Sequence, residues 1–98
     1  RYVYRDDILY FQIDNGIFVL LKDGTKLSLV NETLKEIETT LSDSFVRVNN
    51  NVLINFSKVD HLDVKNHKII MLDGTIVSVS VRRWKKVKEH YIQMRTNI

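Results

Sequence analysis

Apolar and polar residues trade places along this chain in short runs, and turn-forming residues separate the runs. Asp7 to Ile13 is rich in β-formers, with Ile8, Leu9, Tyr10, Phe11 and Ile13. Asp14-Asn15-Gly16 breaks that run, and Asn-Gly accepts the positive φ of a tight hairpin. Ile17 to Leu21 predicts a second strand. Asp23-Gly24 predicts a second turn, and Thr25 to Val30 a third strand. The result is a three-strand meander.

The period then changes. Leu34, Ile37 and Leu41 recur at helical spacing, with Lys35, Glu36 and Glu38 off that stripe. Asn31 is placed to cap a helix that starts at Glu32, and Ser42-Asp43-Ser44 closes it. A second β block follows. Phe45 to Val48 and Val52 to Ile54 flank Asn49-Asn50-Asn51, a run of poor strand formers that marks a connector. Val59 to Val64 alternates, with Val59, Leu62 and Val64 as the candidates for burial. Lys65-Asn66-His67 turns the chain into Lys68 to Leu72, and Asp73-Gly74 turns it into Thr75 to Val79. Arg82 to Met94 predicts a last helix. Its stripe of Trp84, Val87, Tyr91 and Met94 suits core packing, with the lysines elsewhere. Two hairpins resemble each other, Leu21-Lys22-Asp23-Gly24-Thr25 and Met71-Leu72-Asp73-Gly74-Thr75. Shared hairpin chemistry explains this as well as duplication does.

The length of 98 residues fits one domain, and 44% apolar content supports one core. No cysteine is present, so neither disulfides nor thiolate metal sites enter, which fits a reducing cytoplasm. No apolar run approaches the ~18–20 residues that span a bilayer, and no signal peptide is visible. The chain opens at Arg1 and reads as an excised domain, residues 1–98, from a larger protein.

Charge sharpens the picture. Residues 1–44 carry five Lys/Arg against eight Asp/Glu, while residues 45–98 carry ten against four. The basic excess shares a half with the asparagine run and includes Arg82-Arg83-Trp84-Lys85-Lys86-Val87-Lys88. Such asymmetry suits a polyanion, although a solvated face and basic tail would produce it too. Asparagine amides pair with adenine edges, and arginine with guanine. Neither the histidines His61, His67 and His90 nor the acidic pairs Asp6-Asp7 and Asp60/Asp63 have metal-site spacing or an accompanying nucleophile motif. No enzyme, metal or cofactor is expected.

With the elements in place, the chain resembles the LytTR DNA-binding domain family of bacterial transcription regulators. Asp7-Ile8-Leu9-Tyr10-Phe11 is similar to the family's opening strand, and Thr33-Leu34-Lys35-Glu36-Ile37-Glu38 to its T-L-K-E-L-E helix. Phe45 to Asn55 is similar to F-x-R-V-H-R-S-Y-L-V-N, and Asp73-Gly74-Thr75 with Val79 to Arg83 to D-G-x-x-I-P-V-S-R-R. Asn49-Asn50-Asn51 stands where the family usually has His-Arg/Lys-Ser, Val52 where it has an aromatic, and Ser78 where it has proline. The first departure bears on the target sequence more than on the fold.

The resemblance implies a mostly β fold with short helices, built as an elongated antiparallel sheet. It implies sequence-specific binding of double-stranded DNA by loop residues in successive major grooves. By position it makes Asn15, Asn50 and Arg82 the base contacts. Arg83, Lys85, Lys86 and Lys88 suit phosphates. Arg47, on the polar face of a strand, suits a phosphate or a cross-strand ion pair. Each base candidate has a plainer explanation: turn geometry for Asn15, local backbone bonds for Asn50, and a solvated helix start for Arg82. The resemblance further implies a cytoplasmic output module under an upstream receiver or sensor domain, as in two-component response regulators, with two copies on paired direct repeats. From the residues alone, two other readings stand: a β-rich interaction or regulatory module that binds by edge-strand addition, and a single-strand binder using Tyr4, Tyr10 and Phe11.

Overall fold

Strand Val52–Asn55 is buried at every position, and the molecule is organised around it. Leu53 points to one side and Val52 and Ile54 to the other, as strand alternation requires. Each side therefore needs its own apolar cover. The computed structural model, which describes residues 3–41 and 43–96, shows both covers.

The first sheet contains β1 (Ile8–Ile13), β2 (Ile17–Leu21), β3 (Lys26–Leu29), β4 (Phe45–Asn49) and β5 (Val52–Asn55). Their order is β3-β2-β1-β5-β4, and every described pairing is antiparallel. Helix α1 (Leu34–Thr40) covers one face through Leu34 and Ile37, which meet Phe11, Phe45 and Leu53. The other face is covered by a second sheet and a helix. That sheet runs β6-β7-β8 through Val59–Asp63, Lys68–Met71 and Ile76–Ser78, and α2 spans Val81–Thr96. Ile69, Met71, Val77 and Val87 meet Val46, Val48 and Ile54 there. Burying a side chain as fully as Leu53, at 0% exposure, stabilises by about 1.5–3 kcal/mol. The domain is longest in one direction, at 35 × 27 × 24 Å.

The two similar hairpins are built alike. In the first, Gly24 N donates to Leu21 O at 2.9 Å and Thr25 N to the Asp23 carboxylate at 2.8 Å. In the second, Gly74 N donates to Met71 O at 2.9 Å and Thr75 N to Asp73 at 3.0 Å. Both glycines sit near φ +90°, at +89° and +91°, where other residues are strained.

Four expectations are corrected. The cap of α1 is Thr33, whose hydroxyl accepts from Glu36 N at 3.1 Å and donates to the Glu36 carboxylate at 2.8 Å. That side-chain cap starts the helix at Leu34 and not at Glu32, while Asn31 lies outside it at φ 62°. The helix stops at Thr40, with Leu41 as C-cap; of the expected stop signal, Ser42 lies outside the described residues. Val64 is 57% exposed because β6 ends at Asp63 and Val64 begins the turn. Met94 is 44% exposed near the end of α2, at the rim of an open depression over Phe56 and Val59.

Candidate nucleic-acid interface

The Asn49–Asn51 turn is held from three directions. The Arg47 guanidinium donates through Nε to Asn49 O at 3.1 Å and through Nη2 to Asn50 O at 2.7 Å. Its Nη1 lies 3.9 Å from Glu38 on α1. The Asn49 side chain accepts from Asn51 N at 2.8 Å and donates to Ser78 O of β8 at 2.8 Å. Asn51 O accepts from Ile13 N at 2.8 Å, which ties the turn to the end of β1. With the backbone so engaged, the exposed Asn50 side chain is free to be displayed outward.

Arg82 stands in the first turn of α2. Ser80 N donates to Val48 O at 2.9 Å, and Val79 N to His67 O at 3.0 Å. The His67 ring stacks on Trp84 at 4.4 Å and 14°, which fixes the helix start against the β6–β7 turn. Asn50 and Arg82 thereby line one open cleft of about 680 Å³, between the β4–β5 turn and the segment leading into α2.

Asn15 sits at the same end of the first sheet, because Ile13 bonds to Asn51. It does not line the cleft, and its φ of 53° in the β1–β2 loop is one that asparagine tolerates. Arg83 is half-buried, and its Nε has no hydrogen-bond partner among the described residues. Burial, then the neighbouring Arg47 and Arg82, lowers its pKa, with Glu38 opposing. Arg47 and Arg82 therefore lie near the Arg83 guanidinium, with Glu38 the opposing carboxylate. Lys85 and Lys86 lie three and four residues beyond Arg82, and so beside it on the helix surface; Lys88 extends that row. All three lysines are exposed.

The sequence profile of the LytTr DNA-binding domain matches residues 1–92. The chain belongs to this family. The LytTR domain also superposes on a solved structure, the LytTr DNA-binding domain of a protein from Bacillus cereus assigned as a methyl-accepting/DNA response regulator. The TM-score is 0.77 at 20% identity, over 92% of this chain and 84% of that one. The likeness establishes the mostly β fold. No significant match is found among curated proteins.

Several residues of this LytTR domain were not singled out from the sequence. Gln12 lies on the β1 face that lines the cleft, beside Tyr10, which was considered only for base stacking. Burial, then Asp73, pushes the Tyr10 phenol up from 10.0, so it remains an O–H donor. Asn49 looked like one member of a turn run, yet it joins the two sheets. The signal for Gln12 was present as a lone amide in an apolar strand. Of the three aromatics considered as a stacking platform, Phe11 is buried in the core, Tyr10 is half-buried and only Tyr4 is well exposed. Among the described residues no group of three acidic or histidine side chains could hold a metal, and no helix is long and apolar enough to cross a membrane.

Proposed function

We propose that this domain binds double-stranded DNA in a sequence-specific way, with Asn50 and Arg82 contacting base edges in the major groove. The observation that carries the reading is their shared cleft: an amide and a guanidinium, both exposed, on one surface. Asparagine matches adenine N6/N7 and arginine matches guanine O6/N7, each contact discriminating by about 1–3 kcal/mol. Asn15, on the adjacent loop, is the outer base contact, in the next groove along.

Arg83, Lys85, Lys86 and Lys88 bind phosphates, which adds affinity and salt dependence but no sequence information. Arg47 first holds the asparagine turn and offers only its outer edge to a phosphate. The domain is the output module of a cytoplasmic bacterial response regulator. An upstream receiver or sensor controls it, and two copies occupy paired direct repeats.

Anisotropy with cognate and scrambled duplexes tests the assignment. Arg82→Ala loses about 1–3 kcal/mol on the cognate duplex alone, while Lys85→Ala weakens both duplexes alike and lowers the salt slope by about 1. Salt-sensitive binding with no preference for any sequence would instead favour the interaction-module reading.

A further inference from the structure

We infer that Asn49 is a positioning residue that fixes the separation of Asn50 and Arg82, and so sets the spacing between the bases the domain accepts. The inference rests on the DNA reading proposed above and adds a determinant of specificity that need not touch DNA.

The two base-contacting residues belong to different layers. Asn50 rides on the β4–β5 turn of the first sheet, and Arg82 on the helix that follows β8 of the second. Among the described residues no strand pairing joins the two sheets. Their alignment at this end depends on what crosses between them. One crossing is a backbone bond, Ser80 N to Val48 O at 2.9 Å. Beyond the apolar packing of Val48 and Val52 against Val77 and Val79, a second crossing is the Asn49 amide, which donates to Ser78 O at 2.8 Å.

The local geometry explains why residue 49 can make that reach. The β4–β5 register slips between Arg47 and Asn49, so Val48 is an extra residue in β4. A bulge of this kind re-aims the side chain that follows it. Arg47 faces α1 and Glu38, whereas Asn49 reaches the second sheet. The same amide uses its oxygen to accept from Asn51 N at 2.8 Å, closing the turn that presents Asn50. Ser78 is in turn anchored to β7, its hydroxyl accepting from Lys68 Nζ at 2.7 Å. One side chain thus grips the turn of one base-contacting residue and the strand leading to the other. Hydrogen bonds to base edges weaken steeply when donor and acceptor move out of line. Two contacts made at once therefore demand a fixed separation.

Selection of bound duplexes from a random pool tests this with the whole 98-residue chain, Asn49→Ala and Asn49→Asp, all confirmed folded by circular dichroism. Aspartate keeps the acceptor for Asn51 N but offers no donor to Ser78 O. The wild type is expected to enrich one spacing between the two read positions. Both variants should enrich the same bases at two or more spacings, with the cognate-to-scrambled ratio down by roughly tenfold, as expected for loss of one base contact. A mere loss of stability would not broaden the spacing. Retention of the single spacing by Asn49→Asp would show that only turn closure matters and overturn the inference. If both variants kept the wild-type spacing and ratio, the inference alone would fall. A wild type that enriches no motif would overturn the DNA reading and this inference together.

Discussion

The Arg47 guanidinium donates to the Asn50 carbonyl at 2.7 Å, so the cation beside the candidate interface is spent largely on the backbone of its neighbour. Its second bond, to Asn49 O, makes it a two-point brace. A charged donor bonded to a carbonyl contributes about 1.5–3 kcal/mol when its partner is desolvated. Lysine supplies the charge but not the planar fork. Arg47→Lys is therefore expected to keep the salt dependence of DNA binding and to lose most of the preference for cognate over scrambled duplex. Anisotropy titrations at two salt concentrations check this. If the preference for the cognate duplex is kept, the planar fork is not needed and Arg47 does not act as a brace.

Asn55 is 2% exposed and fully used. Its Nδ2 donates to Ile8 O at 2.9 Å and Arg5 O at 3.2 Å, and its Oδ1 accepts from Ser57 N at 3.1 Å and Ser57 Oγ at 2.7 Å. It pins the chain entering β1 to the chain leaving β5. Leucine has nearly the same shape but strands each of those groups without a partner. Only the bond to Ile8 O is fully buried and the other three are part-buried, so Asn55→Leu should cost about 1–3 kcal/mol, the penalty of one buried polar group left unsatisfied. A urea midpoint unchanged from wild type would show that water satisfies these groups.

From the sequence alone, Asn31 is placed to take the cap of α1. The structure gives it to Thr33, so Thr33→Ala should destabilise by about 0.5–2 kcal/mol. Asn31 instead occupies φ 62°, which glycine adopts freely, so Asn31→Gly should be neutral within about 0.5 kcal/mol. Thermal melts of the two variants separate the cases. Loss of stability in Asn31→Gly but not in Thr33→Ala would reverse the assignment.

What the sequence made legible was local, and what it hid was mostly a matter of packing. The Asp23-Gly24 and Asp73-Gly74 turns could be placed because their chemistry is complete within five residues. The meander and both helices followed from periodicity. The layering did not, because β5 is apolar on both faces, and only the fold shows that one face meets α1 and the other α2. The interface was half visible. Asn50 and Arg82 were named from position, but their common cleft depends on contacts between residues far apart in sequence, such as Asn49 with Ser78, 29 residues on. Arg47 illustrates the gap most clearly. A lone cation on a polar strand face looks available, and only the turn geometry reveals its bonds to two carbonyls.

His90 supplies a pH test of the packing of α2. Its ring meets Phe56 edge-on at 4.5 Å. Burial lowers its pKa from the ordinary 6.5, Lys86 adds to that, and Asp43 opposes it. The unfolded chain therefore binds this proton more readily than the folded one. Stability is full while His90 is neutral in both states, and it falls as pH drops through the unfolded value near 6.5. Below the folded value the loss levels off, since both states are then protonated. Glutamine removes the titration, so His90→Gln should flatten the stability profile between about pH 7.5 and pH 5.5 relative to wild type. Urea unfolding followed at several pH values measures both slopes. Parallel profiles would mean that the ring is solvated as freely in the folded chain as in the unfolded one, and that its edge contact with Phe56 does not hold it out of water.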